Sequence, residues 1–102
     1  MVIVIVKGIV KAKFKHVFVN RIRDLSDIVR KEHGCKNYDL YFNDINACEL
    51  FLFELWDSKE SLLKHLETEH MNEYFLESHD WFESITMDTY DSSLIQLNKL
   101  AF

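Results

Sequence analysis

The sequence contains no proline, only two glycines and only two cysteines among its 102 residues. With Gly8 and Gly34 as the sole glycines, there is no glycine-rich loop to cradle a phosphate, and no proline- or glycine-rich linker to separate domains. Cys35 and Cys48 cannot form a disulfide framework, and neither has a second Cys or His at zinc-finger spacing, so buried thiols are the expectation. Basic residues are scarce as well. Twelve Lys and Arg face seventeen Asp and Glu, a net charge of −5, which argues against a partner held through phosphate charge and therefore against nucleic acid. No apolar run is long enough for a membrane span. Met1 to Val10 is apolar, but Lys7 and Lys11 cut it short, and it lacks the basic start and small-residue cleavage site of a signal peptide. A cytoplasmic protein with no membrane partner is expected.

What is present is a large apolar and aromatic fraction: 48% hydrophobic residues, with two Trp, four Tyr and eight Phe. The length suits one domain over residues 1–102, able to build one core. The aromatics belong in that core, in an interface or around a flat ligand.

The hydrophobic period alternates along the chain. Val2 to Val10 is β-branched almost throughout, with Val2, Val4, Val6 and Val10 on one face and Ile3, Ile5 and Ile9 on the other, so both faces of this strand want cover. Phe14, Val17, Phe18, Ile22, Leu25, Ile28 and Val29 recur at helical spacing, with His33 and Gly34 as a plausible stop. Cys35 to Phe42 and Cys48 to Trp56 read as antiparallel strands joined by the polar turn Asn43 to Asn46. Asp57 or Ser58 can cap the next helix, whose apolar face runs from Leu62 to Phe82. That span is long enough to expect a break near His70. Ser84 to Tyr90 is the last strand, followed by an apolar tail carrying Leu94, Ile95, Leu97, Leu100 and Phe102.

The order is β-α-β-β-α-β, an α+β ferredoxin-like arrangement with both helical segments on one face of an antiparallel sheet. The third strand carries Leu50 and Leu52 on one side and Phe51, Phe53 and Leu55 on the other. The face away from the helices is therefore apolar, and a second copy of the same sheet is the economical cover, which makes a homodimer the expected state.

Three segments carry a resemblance: Gly34 to Asp39 (GCKNYD), Phe53 to Ser58 (FELWDS) and His65 to Tyr74 (HLETEHMNEY). In this order and spacing they resemble the antibiotic biosynthesis monooxygenase family, and within it the bacterial quinol monooxygenases. The resemblance implies a dimeric α+β barrel. It also implies oxygen chemistry without flavin, haem or metal, on a small aromatic quinol or polyphenol that supplies the electrons to molecular oxygen, so no cofactor is expected. Two positions depart from the family pattern: Ala12 and Lys13 stand where a Pro-Gly is common, and Glu69 stands where a proline precedes the second histidine. The same fold also houses relatives that degrade haem or isomerise small signalling carbonyls, and the alternative readings are a non-catalytic dimeric barrel that binds an aromatic ligand in a stress or regulatory role, or a haem-binding relative. The haem-degrading branch uses an Asn on the first strand, and Met1 to Lys11 contains none.

Such chemistry needs a base with a pKa near the working pH and donors near the ring oxygen. His65 and His70 are the candidate bases, with Asn37 and Trp56 as donors and Glu54, Tyr38, Tyr74 and Phe75 as further substrate-binding candidates. Each has a plainer reading. Either histidine can be a partly buried helix residue, Asn37 can sit on a solvated strand face beside Asp39, and the Tyr and Phe side chains can be core. Glu54 and Trp56 share a strand face; if it turns toward the helices, Glu54 needs a partner, and a histidine from the second helix or the backbone at the sheet end can serve. No metal site is expected. His65 and His70 are five apart, about 140° around a continuous helix, and no H-E-x-x-H occurs.

Overall fold

The computed structural model describes residues 1–97. Strand β1 (Val2–Val10) leads through a single 3-10 turn at Ala12–Phe14 into helix α1 (Lys15–Val29). The hairpin β2 (Cys35–Phe42) and β3 (Glu49–Trp56) follows, then helices α2 (Lys59–Leu66) and α3 (Glu69–Ser78), and finally strand β4 (Phe82–Asp91). The sheet order is β2-β3-β1-β4 with every neighbour antiparallel. This is the expected ferredoxin-like α+β fold, with its second helical span divided in two. No helix among the described residues is long and apolar enough to cross a membrane.

One sheet face meets the helices. Val2, Val4, Val10, Leu50, Leu52, Glu54, Trp56 and Tyr38 are buried there, with Phe18, Ile22, Leu25 and Val29 of α1 and Leu62, Met71 and Tyr74 of α2 and α3 laid over them. The α1 positions recur at helical spacing, so one stripe of the helix faces the sheet. Each such large apolar side chain contributes about 1.5–3 kcal/mol when fully buried. On the opposite face Ile3, Ile5, Ile9, Phe51, Phe53 and Leu55 are only partly covered in the single chain. Tyr41 and Tyr90 are about half exposed. The apolar tail is open to solvent at Leu94, Ile95 and Leu97, while Leu100 and Phe102 lie outside the described residues.

Two local features shape the site, the first a departure from the sequence expectation. Helix α1 ends at Val29, four residues before His33, and residues 30–34 form a turn closed by Gly34 at φ +84°. Only glycine fits there: the backbone is left-handed, and a Cβ would strike Asp57 and Ser61. The Asp57 amide donates to the Gly34 carbonyl at 2.8 Å, which ties this turn to the start of α2. The second is the expected break between α2 and α3. Ser58 caps α2, its hydroxyl accepting from the Ser61 amide at 3.2 Å. Thr68 then ends α2 by donating to the His65 carbonyl at 2.8 Å, and starts α3 by accepting from the Met71 amide at 3.3 Å. The break falls just before His70, and Glu69 becomes the first residue of the new helix.

Candidate active site

Glu54 is the unusual residue on the buried face of β3. A carboxyl placed among Leu50, Leu52 and Trp56 loses its hydration and must be partnered. Trp56, two residues on and therefore on the same face, donates its indole N–H to Glu54 Oε1 at 3.0 Å. Glu54 is 4% exposed, and burial pushes its pKa from 4.5 up to about 7; the indole hydrogen bond opposes the rise and the charge of Glu32 adds to it.

His65 comes down from α2 onto this pair. It is 1% exposed. Its ring lies 4.6 Å from the Trp56 ring, and meets Tyr38 edge-on at 5.8 Å. Nε2 faces Glu54 Oε1 at 3.9 Å, while Nδ1 is 2.8 Å from Glu32 Oε2. Burial pulls the His65 pKa down against the opposing hydrogen bond to Glu32, so the ring is held neutral. A carboxylate oxygen can only accept, which places the proton of the neutral ring on Nδ1 and leaves Nε2 as a bare lone pair directed inward. The same Glu32 oxygen is 3.2 Å from His70 Nε2. The result is a line of groups running from the buried Glu54 carboxyl, through His65 and Glu32, to His70, which is one quarter exposed.

Beside Glu54 and His65 lies a cavity of about 260 Å³ between sheet and helices. Val6, Leu50 and Leu52 form its floor, Phe18, Ile22, Met71, Tyr74 and Phe75 its helical walls, and Ile85 and Met87 of β4 its open flank. Its volume falls just under the ~300–1,000 Å³ of drug-sized ligand sites, which suits a small ring system. Burial pushes the Tyr38 hydroxyl well above its ordinary value and that of Tyr74 up to about 12, so both stay protonated.

Of the residues singled out from sequence, Glu54, His65, Tyr38, Tyr74 and Phe75 line this cavity. Trp56 is wholly buried behind them, and its N–H is taken by Glu54 rather than offered to a ligand. His70 stands outside the wall and joins the site through Glu32. Asn37 does not reach the site. A bulge at Lys36 reverses the strand's alternation, so Cys35 pairs with Trp56 but Asn37 pairs with Leu55 on the far face, where its amide donates to Asp39 at 3.3 Å. Glu32 was missed. Its one cue is an acidic residue just past a helix C-terminus, where the macrodipole disfavours it and some other partner must hold it.

Spacing along one continuous helix would set His65 and His70 about 140° apart, and the expectation of no metal site rested on that spacing. The break at Thr68 re-aims His70, and ligand atoms of Glu32, His65 and His70 all lie within 4.8 Å of one another.

The family model of the antibiotic biosynthesis monooxygenases matches residues 1–75. The chain belongs to the antibiotic biosynthesis monooxygenase family. The matched stretch contains Glu32, Glu54, His65 and His70. Among solved structures, a conserved protein from Methanosarcina mazei Go1 is similar at 26% identity and a TM-score of 0.85, over 90% of this chain and 92% of that one. A Deinococcus radiodurans protein provisionally called an antibiotic biosynthesis monooxygenase aligns over 99% of this chain and 100% of its own, at 16% identity and a TM-score of 0.89. Rv0793 from Mycobacterium tuberculosis aligns over 96% and 98%, at 21% identity and a TM-score of 0.82. The latter two likenesses are of fold. Comparison with the curated proteins finds no match.

Proposed function

We propose that this family member is a cofactor-independent monooxygenase that oxidises a small quinol or polyphenol with molecular oxygen. The observation that carries the reading is the bare Nε2 of His65, directed inward beside Glu54 at the edge of an otherwise apolar cavity. A phenolic hydroxyl presented there gives its proton to Nε2, and the imidazolium that forms is stabilised by the Glu32 carboxylate on Nδ1. Glu54, with its pKa near neutrality, supplies a hydrogen bond to the phenolate oxygen while protonated. The electron-rich ring then reduces O2. One oxygen atom enters the ring and the other leaves as water, every electron coming from the substrate. The apolar walls admit O2 and keep water from the reacting ring.

The same reading includes a homodimer. The half-covered face at Ile3, Ile5, Phe51, Phe53 and Leu55 meets its copy across the sheet, as the resemblance to dimeric barrels implies. Light scattering on the eluting protein checks this, with twice the mass of one chain expected and a monomer contradicting it.

Oxygen uptake with a chemically reduced naphthoquinol, compared with the same quinol in buffer, tests the activity. Acceleration that saturates with quinol is expected. Saturable binding with the quinol recovered unchanged would overturn the monooxygenase reading in favour of a ligand-binding barrel.

A further inference from the structure

The cluster of Glu32, His65 and His70 offers one carboxylate and two imidazole nitrogens, a donor set suited to Zn2+ and related divalent ions. The geometry points to a divalent transition-metal site on these three residues, in which the ion replaces the protons now shared between them. Glu32 Oε2 lies 2.8 Å from His65 Nδ1 and 3.2 Å from His70 Nε2. A tetrahedral ion with bonds of about 2.0–2.1 Å needs its ligand atoms roughly 3.3 Å apart, so the His70 separation already fits, the His65 separation has to open by about half an ångström, and the two ring nitrogens, within 4.8 Å of each other, have to settle at the same spacing. Glu32 can give this room. It sits on the turn after α1, not within a helix or strand, and its side chain is 16% exposed. His70, one quarter exposed, gives the ion a way in from solvent, and the remaining coordination position is left for water.

The ion would change what His65 presents to the cavity. With Nδ1 bound to metal, a neutral imidazole carries its one proton on Nε2, so the lone pair that faces Glu54 becomes an N–H donor. His70, bound through Nε2, likewise carries its one proton on Nδ1, and Glu32 remains a carboxylate. Both metal-bound rings are neutral, each holding its proton on the nitrogen away from the ion. On the monooxygenase reading, on which this consequence rests, the bound ion removes the base and inhibits turnover; it is a switch on the site and not a cofactor.

The test is competition for Zn2+ between the full chain and a chromophoric chelator, with Glu32→Ala and His70→Ala beside the wild type and circular dichroism to verify folding. One ion per chain is expected, with affinity falling at least about tenfold in each variant, as loss of a ligand requires. Failure to compete, or equal affinity in all three proteins, would overturn the site. A second readout needs no variant: nitrogen NMR of the wild type should show the His65 proton move from Nδ1 to Nε2 as zinc is added, and an unmoved proton would contradict the arrangement. Oxygen uptake with naphthoquinol, with and without zinc, forms the last arm. Loss of uptake with zinc and its return with chelator are expected, and unchanged uptake in zinc-loaded protein would overturn the switch. If the chain oxidises no quinol at all, the chelator competition still decides the metal site, so the two readings fail separately.

Discussion

The two sides of His65 are built differently, although a glutamate stands on each. On the cavity side, Glu54 is fixed on a central strand, its oxygen bonded by the Trp56 indole, 3.9 Å from Nε2. On the solvent side, Glu32 rides on a turn, partly exposed, and bonds Nδ1 at 2.8 Å while sharing the same oxygen with His70. The difference divides the work of one imidazole. The solvent-side carboxylate is close enough to dictate where the proton sits, whereas the cavity-side carboxyl stands too far away to bond Nε2 and leaves it available to a ligand. Burial of the sheet-side carboxyl pushes its pKa up to about 7.

Removing the imidazole breaks the comparison outright. His65→Gln keeps polar atoms near both glutamates but has no basic nitrogen, and quinol-dependent oxygen uptake should fall by ~10²–10⁴, the usual worth of a positioned base. A rate within a factor of about two of wild type would assign the proton transfer elsewhere.

Glu54→Gln probes the buried side through stability. A carboxyl whose pKa is 4.5 when unfolded and about 7 when folded binds its proton more tightly in the native state. Its contribution is therefore full below pH 4.5 and lost as pH rises through 7, a total of about 3 kcal/mol at ~1.4 kcal/mol per unit. Glutamine cannot ionise. Urea unfolding at pH 5 and pH 8 should show the variant gaining on wild type by up to about 3 kcal/mol across that interval, and a constant difference would mean that Glu54 ionises without penalty.

Substitutions on the solvent side are expected to be milder. Glu32→Gln keeps a partner for Nδ1 but removes the charge that stabilises the imidazolium, and a loss of roughly tenfold in turnover is expected, as for other groups that orient a working imidazole. His70→Ala takes away only the second donor to Glu32 and should cost a few-fold at most, about what one net hydrogen bond contributes. If His70→Ala were the more damaging of the two, the order of groups along this line would be wrong. Steady-state oxygen uptake across a pH series reads both.

Much of this was legible in the chain. Period-two and period-3.6 apolar patterns gave β1 and the β2–β3 hairpin nearly to the residue, and α1 apart from its last turn, because each buries one well-marked face. That a buried Glu54 must be partnered was also legible, because its face is shared with Trp56, but the sequence left a second-helix histidine and the sheet-end backbone both open as partners; the carboxyl instead takes the Trp56 indole N–H at 3.0 Å, with His65 Nε2 3.9 Å away. What the pattern could not carry was local backbone geometry. The bulge at Lys36 adds one residue to β2 and so moves Asn37 to the far face. The Thr68 cap rotates His70 out of the register that a single helix would give it. Glu32 depends on both the early end of α1 and the Gly34 turn that ties it to α2, a non-local contact that no periodicity records.

The position of the His65 proton decides which nitrogen can act as the base, and nitrogen NMR of the uniformly labelled, metal-free protein at neutral pH reads it directly. Free histidine in water favours the proton on Nε2, so the alternative is a clear one. A neutral ring protonated on Nδ1, coupled to Glu32, with Nε2 bare is expected; a proton found on Nε2, or a fully protonated ring, would contradict the assignment of Nε2 as the base.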